Sequence, residues 1–211
     1  MNRAFRTALV ILACVPVLAS CQLGQPSIST SNVPPRHVSL LEGAVQVPAP
    51  SGYCVDLNSL QDHRRAGFVL MAGCDGLMGL PSGTLIEPAI LTVAAYVPDQ
   101  PVQQSLDVAA ALDGATVLER RQVGGLNMVR VLSSDMVPDD SAPEHWRGAM
   151  VVNEAVLTLA VYGNGAITNS AGAELLQVLA RQITQASGKG TPQPDPDTKK
   201  KQKNLFQRIF N

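Results

Sequence analysis

Residues 116–133 read TVLERRQVGGLNMVRVLS, with strand-forming runs on either side of Gly124-Gly125. Two glycines between such runs are a strong signal for a two-residue hairpin turn, because both positions tolerate positive φ angles. The pattern recurs at 146–162, where two apolar runs flank Asn153-Glu154. The sequence therefore predicts two consecutive β-hairpins and, with them, an antiparallel sheet.

Three further strands are predicted upstream of these hairpins. The segment 45–55 forms a first strand broken by Pro48 and Pro50, and 68–74 forms a second. The run 90–97 is continuously apolar, which is typical of a central strand buried on both faces. We therefore expect strands to precede as well as follow the first helix.

Two amphipathic helices are predicted around these strands. Asp99 offers an N-cap to the first, with Pro101 in its first turn, and Asp113-Gly114 ends it. Ser170 caps the second helix and Gly188 ends it. The apolar stripes are Val102, Leu106, Ala109 and Ala110 in the first helix, and Leu175, Leu176, Leu179 and Ile183 in the second.

The predicted order is roughly βββ-α-ββββ-α, an α+β domain whose antiparallel sheet carries two amphipathic helices packed on one face. This order resembles that of the PsbP-like fold, a family named for an extrinsic protein of the photosynthetic oxygen-evolving complex. The resemblance rests on element order and hairpins over residues 45–187. It implies the fold alone and carries over no functional residue.

The composition excludes several broad classes of protein. Of 211 residues, 45% are hydrophobic, 4% are aromatic and 16% are charged, and the formal net charge is −1. This balance argues against wholesale disorder, and it gives no nucleic-acid signature. No apolar run reaches the roughly 18 residues that a membrane-spanning helix needs.

The N-terminus has the organisation of a secretory signal. Arg3 and Arg6 precede a run of about 12 mostly apolar residues, which is too short to span a bilayer as a finished helix. The run ends in Leu18-Ala19-Ser20-Cys21, which resembles the lipobox of bacterial lipoproteins. The resemblance implies cleavage before Cys21, a diacylglycerol on its sulfur and a further acyl chain, such as palmitate, on its amine. The alternative is an ordinary signal peptide that happens to place a cysteine here.

The same resemblance predicts where the protein resides. Two or three acyl chains anchor a protein stably, whereas one chain gives marginal binding. Gln22 stands where Asp retains enterobacterial lipoproteins in the inner membrane, so we expect a periplasm-facing protein of the bacterial cell envelope, in the outer rather than the inner membrane. Residues 1–20 are then the signal peptide, and 21–44, with several prolines and serines, are a flexible lipidated tether.

Two cysteines remain once Cys14 leaves with the signal peptide and Cys21 is lipidated. Cys54 and Cys74 form a pair in an oxidising compartment, which predicts a structural disulfide. Placed on neighbouring strands, the pair would lie within bonding range. The alternatives are two buried thiols, a redox pair or a metal site, although redox pairs favour Cys-x-x-Cys and metals need more ligands than the nearby His63.

The C-terminal residues 188–211 differ from the domain at 45–187. Without residues 1–20 the chain has 14 basic and 17 acidic residues, net −3, yet 189–211 alone contain six basic residues and two acids, net +4. We expect a proline- and glycine-containing linker followed by a basic amphipathic tail that docks on an envelope protein partner or on anionic lipid. Packing on its own domain and a frayed end are the alternatives. The docking residues are Lys199, Lys200, Lys201, Lys203, Leu205, Phe206, Arg208, Ile209 and Phe210.

Catalytic signals are sparse. There is no Gly-x-Ser-x-Gly, His-Glu-x-x-His or Ser-x-x-Lys motif, so no catalytic residue, metal or cofactor is predicted. Gly163-Asn164-Gly165 could present amides to an anion, with a plain turn as the alternative. The sequence places an acid beside a histidine in the loop 139–145, which contains Asp139, Asp140, Glu144 and His145.

These patterns favour a membrane-anchored envelope lipoprotein with a non-enzymatic binding, assembly or accessory role. Its predicted partners are the membrane, through the N-terminal lipid, and a protein or anionic lipid, through the tail, with no nucleic acid. The first alternative is a carrier of a small apolar or anionic ligand. The second is an envelope hydrolase that uses the loop 139–145.

Overall fold

A computed structural model describes residues 33–81, 83–102, 106–133 and 137–188. Most of this part of the chain is β-structure, with two helices and a short 3₁₀ turn at Gly165–Thr168. The strands are β1 His37–Leu40, β2 Val45–Pro48, β3 Tyr53–Asp62, β4 Ala66–Gly73, β5 Ala89–Tyr96, β6 Thr116–Val123, β7 Leu126–Leu132, β8 Glu144–Val152 and β9 Ala155–Gly163, and the helices are α1 Cys74–Met78 and α2 Ser170–Ser187.

Seven of the strands form one antiparallel sheet in the order β3-β4-β5-β9-β8-β7-β6, and β1 and β2 form a separate hairpin. The two predicted hairpins supply one side of the large sheet, and β9 returns to pair with β5, so that Ile90 lies opposite Tyr162. The antiparallel sheet and the α+β class are therefore confirmed, although the fold contains far more strand than helix.

The hairpin turns have the backbone geometry that their sequences predict. Gly124 and Gly125 have φ angles of 55° and 84°, the positive values that two-residue turns require. Asn153 and Glu154 also have positive φ, at 49° and 67°, although neither is glycine. The Asn153 side chain donates hydrogen bonds to two carbonyls, that of Ala44 at 2.9 Å and that of Ser187 at 3.3 Å, which hold this turn against the end of α2.

One face of the large sheet, here called the covered face, packs against α2 and the β1–β2 hairpin. Side chains alternate between the faces of a strand, so alternate residues of β5 and β9 point toward the layer formed by α2 and the hairpin. They form one continuous core with the stripe predicted for the last helix. Its fully buried members include Leu91, Val93, Leu157, Leu159, Trp146, Leu176, Leu179 and Ile183.

The opposite face is covered only over part of its width. Over β7 and β8, Val108 and its neighbours pack on Val129, Val131 and Ala149. Over β4 and β5 the outward side chains are half-buried, and Tyr96 is 45% exposed. We call these β4 and β5 side chains the open face: Phe68, Leu70, Ala72, Ile90, Thr92, Ala94 and Tyr96. The expectation that 90–97 is buried on both faces is therefore wrong, because β5 alternates between buried and half-buried positions.

The predicted helix over 99–113 is absent from the part of this segment that the structure describes, which is 99–102 and 106–113. The Asp107 carboxylate accepts hydrogen bonds from the backbone N–H groups of Ala109 and Ala110, at 3.0 and 3.2 Å, and starts a turn. The turn places Val108 on β7, so burial against the sheet outweighs a weak helical periodicity. The two helices do not pack together on one face as predicted, because α1 has five residues and follows β4, and the observed order is ββββ-α-βββββ-α.

The N-terminal strands also differ from their predicted bounds. The segment 45–55 is two strands, β2 and β3, because Pro48 to Gly52 make the connection between them. Strand β1 lies within the segment predicted as a tether, and its Leu40 is fully buried in the core. The folded part of the chain therefore begins ahead of Val45. Among the described residues, no helix has the length and apolar character needed to cross a membrane.

Candidate functional site

A cleft of about 440 Å³ opens where β4 and β9 end, at Gly73 and Gly163, and where β5 begins, at Ala89. It lies beside α1 and continues into the open face, since Ala72 and Ile90 belong to both. Most of its wall is apolar, which is the usual character of a small-molecule or peptide pocket. The lining residues are Ala72, Gly73, Asp75, Gly76, Thr84, Leu85, Ile86, Pro88, Ala89, Ile90, Asp139, Asp140, Ser141, Tyr162, Gly163 and Asn164.

One wall of the cleft is the loop that connects α1 to β5. Ile86 of this loop sits against Gly52, where an added Cβ would overlap the Ile86 side chain and where φ is +83°. Nearby, the Tyr53 hydroxyl donates a 2.7 Å hydrogen bond to the Glu87 carbonyl. Burial, and then the negative charge of Glu87, raise the pKa of Tyr53 to about 12, so the hydroxyl remains a donor at physiological pH. These contacts hold the wall in place.

The disulfide predicted between Cys54 and Cys74 is confirmed. Cys54 lies on β3, and Cys74 opens α1 directly after β4, with 4.9 Å between the two Cα atoms. The Cys74 N–H also donates to the Gly52 carbonyl at 3.0 Å. The bridge therefore joins β3 to the start of the helix that borders the cleft.

Acidic residues lie on the rim of the cleft. Asp75 is the second residue of α1, while Asp139 and Asp140 come from the loop before β8. Asp140 has a φ of 63°, and its carbonyl accepts a 2.6 Å hydrogen bond from the Asn164 side chain. The cleft lining as described contains no basic side chain. The rim therefore disfavours an anionic ligand, including one bound by the amides of Gly163-Asn164-Gly165.

His145 is buried, and both of its ring nitrogens have partners. Nδ1 lies 3.0 Å from the Pro143 carbonyl, and Nε2 lies 3.1 Å from the Arg147 Nε, whose N–H points to it. Nδ1 must then donate and Nε2 accept, which defines a neutral ring. Burial chiefly lowers the pKa of His145, the hydrogen bond to Pro143 opposes this, and the charge of Arg147 lowers it further. The ring also stacks on Tyr162, with 4.9 Å between centroids.

The structure separates the acid-and-histidine cluster predicted in the loop 139–145. Glu144 and His145 are consecutive residues of β8, so their side chains point to opposite faces. Glu144 forms an ion pair with Arg130 at 3.1 Å, and Arg130 also lies 3.5 Å from Glu119. Asp139 and Asp140 belong to the cleft rim instead. The predicted cluster is therefore separated into three parts: Glu144 in an ion-pair network, His145 buried with both nitrogens hydrogen-bonded, and Asp139 and Asp140 on the rim of the cleft.

The sequence did not single out the loop between α1 and β5 or the open face. A weak signal was present, because this loop contains Leu80 and Leu85, apolar residues with no helical or strand period around them. In the structure Leu80 is largely exposed and Leu85, at the lip of the cleft, is fully exposed. Leu85 therefore adds exposed apolar surface to the lining of the cleft.

The remaining predicted site residues lie outside the described part of the chain. Cys21 belongs to the N-terminal segment, and the docking residues belong to 199–210. Within the described ranges, no three side chains of the metal-binding types His, Cys, Asp and Glu are grouped closely enough to hold an ion.

Comparisons with known proteins gave no relative for this chain. No protein-family model matches it, and neither the curated proteins nor the solved structures contain a significant match.

Proposed function

We propose that this protein is a lipid-anchored protein of the bacterial cell envelope whose domain acts by binding rather than by catalysis. The anchor rests on the lipobox-like Leu18-Ala19-Ser20-Cys21 and the signal-like segment before it. The domain would then face the periplasm at the end of a short tether. Its role is assembly, stabilisation or accessory binding among envelope components, as the sequence already favoured.

The observation that carries the binding role is the apolar cleft together with the open face that continues it. The cleft wall is held by the contacts of Ile86 and Tyr53 and by the nearby disulfide, so it needs little rearrangement to receive a partner. Hydrolysis by the loop 139–145 is disfavoured, because a general base needs a free nitrogen and both nitrogens of His145 are engaged.

The anchor is tested by replacing one residue. We expect the wild-type chain to incorporate labelled palmitate in a bacterial host and to partition with membranes. The Cys21→Ala variant should lose the label and either accumulate as an uncleaved precursor or be released. A Cys14→Ala variant is the matched control and should behave like wild type. Unchanged membrane partitioning of Cys21→Ala would contradict the anchor.

The binding role is tested by crosslinking and affinity purification from intact cells. An Ala72→Trp substitution would fill the cleft, and Ala110→Trp, in the exposed turn before β6, is the matched control. We expect Ala72→Trp to lose a specific partner that Ala110→Trp and wild type recover. If His145→Gln, which lies outside the cleft lining, abolished the function of the gene in a deletion strain while the variant stayed folded and still recovered the partner, the catalytic alternative would replace this proposal.

A carrier of a small ligand is the second candidate function. It is favoured by the volume of the cleft, which lies in the range of roughly 300–1,000 Å³ typical of ligand sites. The acidic rim favours neutral or cationic apolar compounds over anions. A thermal-shift panel of decanol, decylamine and decanoate should then show stabilisation by the first two and none by decanoate.

A further inference from the structure

The described domain and the C-terminal segment carry opposite charge. The described ranges between 33 and 188 contain 14 acidic and 8 basic residues, whereas 189–211 contain two acidic and six basic residues. Attraction between the two is therefore expected at low ionic strength. Net charge does not define where on the domain the C-terminal segment would bind. The binding position must therefore be argued from the shape and the apolar character of the surface.

The open face and the cleft together form one apolar surface that no other layer of the described structure buries. An apolar sheet face is normally buried against another layer of structure. Helix α2 and the β1–β2 hairpin pack on the covered face, and the segment around Val108 packs on the opposite face of β7 and β8. Over β4 and β5, no helix lies among the described residues, and side chains such as Phe68 and Leu70 stay half-buried.

The segment 199–210 matches this surface in pattern. Leu205, Phe206, Ile209 and Phe210 fall on one side of a helical turn, and the lysines fall around them. The apolar side matches the open face, and the lysines match the carboxylates of Asp139 and Asp140 on the rim. The residues 21–32 do not match, because they contain no charged residue.

The connecting chain is long enough. Helix α2 ends at Ser187 beside the β8–β9 turn, and β9 runs from that turn to the cleft, about 30 Å for nine residues. The 16 residues 189–204 span at most about 55 Å when extended and average about 22 Å as a coil. A tethered segment with such reach has an effective concentration on the order of millimolar.

We propose that the segment 199–210 docks on the open face of its own domain, with its aromatic and aliphatic side chains against β4 and β5 and its basic side chains at the acidic rim. The domain and the tail then form one unit in the free protein. A partner that binds the cleft or the open face must then displace the tail, and an anionic membrane that binds the tail must draw it away from the domain. This inference goes beyond the proposed function, and it stands or falls independently of lipidation at Cys21.

The test uses the full-length mature chain with a photo-crosslinking amino acid in place of Phe206. After irradiation without membranes, we expect a monomeric product whose crosslinks map to residues 66–96. Raising the salt concentration should lower the yield several-fold. A Ser27 placement of the same crosslinker is the control and should not label this range.

Charge reversal sharpens the test. Asp139→Lys with Asp140→Lys should reduce the crosslinking yield several-fold, whereas Asp113→Lys with Glu174→Lys, two exposed acids outside the cleft lining, should leave it nearly unchanged. Thermal unfolding checks that all four substitutions leave the domain folded. Equal yields from both pairs would overturn the proposal.

Three other outcomes would also overturn it. A crosslinked dimer would show that the surface receives a second copy of the chain. Crosslinks confined to α2 would place the tail elsewhere on the domain. Absence of domain crosslinks in buffer, with strong crosslinking to phosphatidylglycerol vesicles, would make the tail a membrane contact. In each case the palmitate label at Cys21 would still report on the anchor separately.

Discussion

The two sides of strand β5 are similar in sequence but differ in burial. Leu91 and Val93 are fully buried in the core of the covered face, whereas Ile90 and Thr92, which alternate with them along the chain, are half-buried on the open face. The run 89–96 is nearly all apolar, so residue type does not distinguish the sides. The layer formed by α2 and the β1–β2 hairpin makes one side of the sheet core and leaves the other side free to bind.

The largest difference in the free energy of unfolding is expected between two variants, each of which truncates one side chain on one side of β5. Leu91→Ala should lower the free energy of unfolding by about 2–5 kcal/mol, because it removes a fully buried side chain and leaves a cavity. Ile90→Ala should cost about 1 kcal/mol, because its side chain is already partly in water. Urea denaturation of both variants measures this. Equal losses would show that the open face is as well covered as the core.

The disulfide supports the cleft side of the sheet and is the next largest effect. Cys54→Ser with Cys74→Ser should lower the free energy of unfolding by about 3 kcal/mol, since the bridge closes a loop between residues 20 positions apart. Wild type under reducing conditions is the matched comparison and should approach the variant. If reduction left the unfolding midpoint unchanged, the bridge would contribute nothing to stability.

A smaller effect is expected from one hydrogen bond on the covered face. The Trp146 Nε1–H donates to the Asn169 carbonyl at 2.7 Å, just before α2 begins. Trp146→Phe removes this hydrogen bond and leaves a gap beside a smaller ring at a fully buried position, and it should cost about 1–3 kcal/mol. Arg121→Met, which removes the guanidinium 5.0 Å from the same ring, should cost less than about 1 kcal/mol. The reverse ranking would mean that the ring is held chiefly by its contact with Arg121.

The smallest effect is a pH dependence on the other face of β8. Because the pKa of His145 is lowered by burial, the unfolded chain binds a proton at higher pH than the folded protein does. The stability due to neutral His145 is present above its ordinary pKa near 6.5 and is lost as pH falls from there through the lowered folded value. Unfolding at pH 7.5 and 5.5 should therefore show a smaller loss for His145→Gln than for wild type. If both proteins lost the same free energy of unfolding between the two pH values, the pH dependence would come from groups other than His145.

Local signals explain what could be predicted. The Gly124-Gly125 and Asn153-Glu154 turns, the span of the last helix and the cysteine pair each depend on residues close in sequence or unique in type, and each was predicted correctly. The predicted cap of that helix was wrong, because Ser170 is its first residue and Asn169 occupies the N-cap position without a side-chain hydrogen bond. The helix predicted over 99–113 had only an approximate period. In the structure, a turn at Asp107 and the burial of Val108 against the sheet take the place of this helix.

The candidate site depends on contacts between distant residues, which is why it was only partly predicted. Asp139, Asp140 and Asn164 were noticed separately, for an acid–histidine loop and for a glycine turn. Only the pairing of β5 with β9 brings them next to Ala72 and Ile90. Strand alternation then sends Glu144 and His145 to opposite faces, which removes the catalytic arrangement that their spacing suggested.

The class of the fold, its hairpins, its cysteine pair and the contrast between an acidic domain and a basic tail could all be read from the amino-acid sequence. These features follow from turn chemistry, side-chain period and charge, which act over a few residues or simply add. Three properties required the folded arrangement of the chain: which side of β5 is core, where the cleft lies and that its rim is acidic. Those properties arise because the order of strands in a sheet brings residues such as Ala72, Asp140 and Tyr162 together across the chain.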